Sequence, residues 1–268
     1  MNIREILSDN RKYTFHSHTQ YCDGRATMDD FAREAVAQGF THYGFSPHSP
    51  IPIASPCNMG FDDVAPYLAE VERIRSVYGD RVSFYAGMEI DYLGPQWGPS
   101  SEYFRNLGLD FSIGSVHFIP DPEGEFVDID GRFESFRMKM ERHFDNDIRY
   151  VVETFYRSSR EMLAAGGFDI IGHFDKVGQN ASYWQPGIED EPWYRELADD
   201  LVDRIIAAGV IVEDNTKANV EHGRLFPDPR HLRRLADAGV PIIVNSDAHV
   251  PALIDASRDV AFSLIDSL

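Results

Sequence analysis

A closed barrel of parallel strands wrapped by helices, an α/β fold, is the architecture this sequence predicts. Three observations point to it. Seven short runs of β-branched and aromatic residues alternate with amphipathic helical stretches, the pattern of successive βα units. The 268 residues hold no long linker, internal repeat or low-complexity tract, so one domain of barrel size over residues 1–268 is expected. Each run also ends in a polar side chain, as the functional rim of such a barrel would. An open sheet with the same element order is the alternative that the pattern leaves open.

The elements follow in chain order. RKYTFH (11–16) is the first strand, and MDDFAREAVAQGF (28–40) the first long helix, with Phe31, Ala35, Val36 and Phe40 on one face. THYGFS (41–46) is the second strand. FDDVAPYLAEVERIRSVYG (61–79) is helical, with Leu68, Val71 and Ile74 sharing a stripe. RVSFYAGMEI (81–90) and DFSIGSV (110–116) are strands three and four. Residues 133–166 read as one or two helices ending at Ala-Gly-Gly, before the fifth strand FDIIG (168–172). ELADDLVDRIIAAG (196–209) and DPRHLRRLADAG (228–239) each stop at glycine, a normal helix terminus, and precede strands GVIVED (209–214) and VPIIVNS (240–246) respectively, the first overlapping its helix by one residue. Two connections are long, 118–132 and 175–195. Tyr183, Trp184 and Trp193 suggest that the second is an ordered cap over a site.

Composition narrows the function. A formal charge of −19 repels nucleic acid and anionic membrane, so neither is an expected partner. No apolar run is long enough for a membrane span, and the charged N-terminus lacks a secretory signal. Only Cys22 and Cys57 are present, too few for a disulfide framework, and a cytoplasmic location is expected.

The strand ends carry the chemistry. Strand one supplies His16 and His18, with Asp23 in its loop. Strand two supplies His48, strand three Glu89 and Asp91, strand four His117, strand five His173 and Asp175, strand six Asn215, and strand seven Asp247 and His249. Six of the ten histidines fall at such ends, while His42, His143, His222 and His231 do not. A single strand-end histidine is ordinarily structural, and Asp23 or Asp175 alone would pass for a helix cap. The shared placement is what argues for a cation site. His16 and His18 alternate along one strand face, Asp247 and His249 repeat that spacing, and closure of a barrel would bring the two pairs together. Imidazole and carboxylate donors suit Zn, Fe or Mn, and the ligand set is large enough for two or three ions.

In order and wording, these residues resemble the PHP (polymerase and histidinol phosphatase) superfamily. The resemblance runs from about residue 13 to 250: HSH then Asp (16–23), SPH (46–48), GMEIDY (87–92), GSVHF (114–118), IGHFD (171–175), VEDNT (212–216) and NSDAH (245–249). The motifs look most like those of monofunctional histidinol-phosphate phosphatases. The resemblance implies a distorted seven-stranded (β/α) TIM-like barrel with a trinuclear site. His16, His18, Glu89 and Asp247 would hold one ion, Glu89, His117 and His173 a second, and Asp23, His48 and His249 a third. Asp214 stands where relatives usually have an apolar residue, and only Lys176 follows GHFD where many relatives carry a basic pair.

The expected reaction is hydrolysis of a small phosphomonoester by metal-activated hydroxide, with L-histidinol phosphate the substrate the resemblance implies. No phosphoenzyme is expected, since no nucleophilic Ser or Cys motif appears. Asp247 or His249 would orient water or protonate the leaving group, with Glu89 bridging ions. Arg25, Lys176, Lys217 and Arg224 are candidate phosphate contacts. Alternatives are a PHP phosphoesterase acting on another small ester or nucleotide, an amidohydrolase, and a non-catalytic polymerase module.

Overall fold

The computed structural model describes residues 2–268. Its centre is a seven-stranded parallel sheet in the order β1-β2-β3-β4-β7-β8-β9, formed by β1 (Tyr13–Thr14), β2 (His42–Phe45), β3 (Ser83–Asp91), β4 (Phe111–Ser115), β7 (Ile170–Ile171), β8 (Ile211–Asn215) and β9 (Ile242–Asn245). All seven lie within the runs read from the sequence or at most one residue beyond them. The sheet curls until its first and last strands meet. His18 N donates to Ala248 O at 2.9 Å, and the Asn245 side chain accepts from Phe15 N at 2.8 Å. The seam is therefore held by single contacts rather than by a ladder, which makes the barrel nearly closed and distorted.

The strands' inward faces explain the two ends of the barrel. Side chains alternate along a strand, so positions two apart share a face. Ile113 and Phe111 lie below Ser115, Gly87 below Glu89, Ile211 below Glu213, and Ile243 below Asn245. The lower positions form an apolar floor with Tyr13, Phe15 and Ile170. Two glycines make room for it. A Cβ at Gly44 or Gly87 would meet the Phe111 ring at 2.6 or 2.3 Å. The polar positions above the floor converge at the carboxyl ends. β1 loses regular pairing after Thr14, so both Phe15, in the floor, and His16, in the rim, are fully buried.

The helices are α1 (Ile3–Asp9), α2 (Met28–Ala37), α3 (Val64–Tyr78), α4 (Glu102–Arg105), α5 (Phe133–His143), α6 (Ile148–Ala165), α7 (Val177–Trp184), α8 (Pro192–Ala208), α9 (Asn219–His222), α10 (Pro229–Asp237) and α11 (Arg258–Asp266). α2 begins at a capping box between Thr27 and Asp30, and its apolar face joins α3 over β2 and β3. α5 through α8 cover the opposite flank, with Val151, Val152, Phe155, Leu201 and Ile205 at the centre of the larger core.

Three expectations change. The 118–132 connection contains an antiparallel hairpin, β5 (Phe118–Pro120) with β6 (Phe126–Asp128). The 175–195 segment is ordered mainly as α7. Its aromatic residues do not cap the polar rim: Trp184 and Trp193 pack on the outer core, and Tyr183 lies against Phe133 and His222. Helices α1, α4, α9 and α11 have no counterpart in the sequence pattern, being short or, for α11, at the chain end, where no following strand flags a βα unit.

Candidate metal centre

The barrel rim brings together all nine residues expected to hold metal. Their donor atoms form overlapping groups: His18, Asp23, His48 and His249; His16, His173 and Asp247; His16, His18 and Glu89; and His48, Glu89 and His117. Glu89 is the centre. Its Oε2 lies 3.1 Å from His16 Nε2, 3.5 Å from His18 Nε2 and 3.1 Å from His48 Nδ1. Its Oε1 lies 2.9 Å from His173 Nε2 and 3.3 Å from His117 Nε2, and accepts from Ser115 Oγ at 2.7 Å. One carboxylate thus presents an oxygen to each of two histidine groups. Asp247 Oδ1 approaches His18 Nε2 at 3.0 Å and His16 Nε2 at 3.8 Å, and Asp23 Oδ2 approaches His249 Nε2 at 3.3 Å. Asp247 adopts a positive φ of 49°, an uncommon conformation for a non-glycine residue and one met often at functional sites.

The donor set fits divalent cations. His16 Nε2, His18 Nε2, His48 Nδ1 and Asp23 Oδ1 are buried and lack hydrogen-bond partners, although carboxylate oxygens lie close by. Buried polar atoms normally find partners, and four unpartnered atoms within these overlapping groups are what bound cations would satisfy. Burial, with His249 and His48 alongside, holds His18 well below the ordinary histidine range; burial pulls His16 the same way, but Glu213 and Glu89 outweigh it and hold that ring above the range. Burial would push the Glu89 carboxyl up, but His16, His117 and His48 outweigh it and keep the group ionised.

Behind these donors lie carboxylates whose role the sequence did not disclose. Glu213 Oε1 accepts from His16 Nδ1 at 2.6 Å and Asn245 Nδ2 at 3.0 Å, while its Oε2 accepts from His173 N and Asn215 Nδ2, each at 3.1 Å. Asp91 Oδ1 lies 2.7 Å from His117 Nδ1. Each carboxylate fixes a ring so that Nε2 faces the centre. Asp91 was visible as a strand-end residue. Glu213 could have been found by parity, since it shares the inward face with Asn215. We expect Glu213→Gln to lower metal affinity or turnover by roughly 10–100-fold, read by metal titration and phosphate release. Wild-type affinity together with wild-type turnover in that variant would remove the orienting role.

The four candidate phosphate contacts separate. Lys217 Nζ reaches both Asp247 Oδ1 and His249 Nε2 at 3.3 Å. Lys176 Nζ pairs with Asp130 Oδ2 at 2.6 Å; burial would lower its pKa, but Asp130 outweighs that and keeps the ammonium charged. Arg25 is exposed, its main-chain N donating to His249 O at 2.8 Å. Arg224 points away from this role, because both its terminal nitrogens bind Glu189 at 2.7 Å, which commits the fork to a structural pair. Asp175 and Asn215, also strand-end residues, are absent from the cation groups.

The sequence pattern of the PHP domain matches residues 14–217. A probable histidinol-phosphatase of Deinococcus radiodurans is 25% identical over 248 residues, covering 88% of this chain and 85% of its own. A solved protein from Listeria monocytogenes superposes with a TM-score of 0.81 at 17% identity, over 92% of this chain and 99% of that one. A histidinol phosphate phosphatase from Lactococcus lactis, solved with zinc, L-histidinol and phosphate, superposes with a TM-score of 0.66 at 16% identity, over 96% and 93% of the two chains. Likeness at these structural identities establishes a shared fold.

Proposed function

The chain belongs to the PHP domain family, and from that premise we propose that it is a metal-dependent phosphoric monoester hydrolase that converts L-histidinol phosphate to L-histidinol and phosphate. One observation carries the chemistry: Glu89 presents an oxygen to each of two buried histidine groups, the arrangement needed for a carboxylate shared between cations. The named activity of the Deinococcus radiodurans relative, and the L-histidinol and phosphate bound by the Lactococcus lactis protein, support the substrate. We take residues 1–268 as one phosphoesterase unit acting in the cytoplasm, in histidine biosynthesis. No helix among the described residues is long and apolar enough to cross a membrane.

In this reading two or three ions of Zn, Fe or Mn are held by His16, His18, Asp23, His48, Glu89, His117, His173, Asp247 and His249. Bound cations would supply an activated water and neutralise phosphoryl charge, which also offsets the repulsion of a phosphate by a chain of charge −19. The protein's own groups position the ester. Lys176, paired with Asp130, and Lys217, beside Asp247 and His249, would offer ammonium donors to the ester. In this reading Asp247 or His249 orients water or passes a proton to the leaving alkoxide. Arg25 stands further out, at the exposed edge.

Phosphate release from L-histidinol phosphate, measured beside metal content, tests the assignment. Chelation should reduce release to background, and Zn or Mn should restore it. A fully loaded protein that turns over other phosphomonoesters but not this one would overturn the substrate while keeping the hydrolase. Lys176→Met should lower kcat/KM by about tenfold or more, the worth of one charge-assisted phosphate contact, mostly through KM. An unchanged KM would remove Lys176 from the phosphate site.

A further inference from the structure

The loop that leaves the rim after His48 returns to it at Met59, whose N donates to His48 O at 3.2 Å. Asn58 ends that loop, is partly buried and belongs to none of the strand-end motifs. Its Nδ2 donates to Asp91 Oδ2 at 2.7 Å and to Ser49 O at 2.8 Å, and its Oδ1 accepts from Ser55 Oγ at 2.6 Å. A carboxylate and a carbonyl only accept, so both amide protons have a destination and the orientation of the amide is fixed. Asp91, the last residue of β3, is 1% exposed. Its Oδ1 faces His117 Nδ1 at 2.7 Å, while Asn58 supplies the donor to Oδ2.

We propose that Asn58 is a positioning residue of the metal centre: by holding Asp91 against His117 Nδ1, it keeps His117 Nε2 turned toward Glu89 and His173. The chain of contacts selects that role. His117 Nε2 lies 3.3 Å from Glu89 Oε1 and 3.4 Å from His173 Nε2. The ring can give a lone pair to a cation there only with its proton on Nδ1, where Asp91 accepts it. A carboxylate held at one oxygen can swing about its own bond, and one held at both cannot. Without Asn58, Asp91 Oδ2 would be a buried acceptor lacking its donor, a costly state that rotation away from His117 would relieve. The inference rests on the metal-centre reading of the rim and is independent of which phosphate ester is hydrolysed.

Zinc loss from the loaded full chain to a competing chelator, with steady-state phosphate release beside it, tests the role. Asn58→Ala should give up an ion at about tenfold lower chelator concentration than wild type and lose about tenfold in kcat, with KM little changed. Asn58→Asp keeps the side chain's shape but sets an acceptor against Asp91 and Ser49 O, so it should lose zinc at least as readily. Because Asn58 acts through Asp91, the double variant Asn58→Ala/Asp91→Asn should hold zinc no less well than Asp91→Asn alone. Zinc retention is the deciding reading. Wild-type retention in both Asn58 variants, with or without a rise in KM, would reduce Asn58 to a loop anchor and overturn the proposal, as would additive losses in the double variant. A wild type that holds zinc yet leaves L-histidinol phosphate intact would overturn the substrate alone, and Asn58 would still be judged by its zinc.

Discussion

Glu89→Gln should release phosphate at least about 10³-fold more slowly than the wild type, a barrier increase of about 4 kcal/mol, and should bind fewer metal ions. The substitution keeps the side chain's shape and removes one anionic oxygen. Because Oε2 faces His16, His18 and His48 while Oε1 faces His117 and His173, an amide nitrogen must turn toward one group or the other. Whichever it faces loses an acceptor of charge and gains a donor among nitrogens that need their lone pairs free. Ser115→Ala is the useful contrast, since it removes only the 2.7 Å hydrogen bond to Oε1 and should cost far less. Metal analysis with steady-state kinetics decides the matter. Turnover within tenfold of wild type at wild-type metal content would mean that Glu89 is not shared between cations.

Asp214→Asn should stabilise the protein, and more so at pH 8 than at pH 5. Asp214 is fully buried on β8, on the face opposite Glu213, and both its carboxylate oxygens lack partners. Burial pushes its pKa up to about 7, with Glu213 and Asp175 adding repulsion. An acid whose folded pKa is raised contributes no penalty below its unfolded pKa, near 4. Between there and about 7 the unfolded chain ionises while the folded one stays neutral, so stability falls as pH rises and the full penalty is present above 7. A shift of that size corresponds to an order of 2–4 kcal/mol at pH 8. Urea unfolding of both proteins at the two pH values measures it. A gain that does not grow with pH would place the carboxylate in contact with a compensating donor.

The strands were legible because each is a short β-branched or aromatic run bounded by turns, and β3 illustrates it with SFYAGMEID against a predicted RVSFYAGMEI. The rim was legible because each strand's polar residue sits at its end, where the chain leaves the apolar floor. What stayed hidden depends on three dimensions. The β5–β6 hairpin reads as loop because Pro120, Pro122 and Gly124 interrupt it. α7 contains Gly178, Asn180 and Ser182, weak helix formers that hold their form through packing, with Val177 and Ala181 buried in the outer core. Arg224 follows a strand as a phosphate contact would, and only its pairing with Glu189, 35 residues earlier, reveals the other role. Glu213 lay inside a motif yet showed its purpose only once β8 stood beside His16.

The seam between β1 and β9 also bears on synthesis. The overlapping ligand groups draw on residues from His16 to His249, and the Ser17–Ala248 bridge joins the two ends of that span. A ribosome must therefore pass residue 249 before the full ion-binding cluster can assemble. Full loading waits for that segment, and a nascent chain stalled before β9 would lack Asp247 and His249.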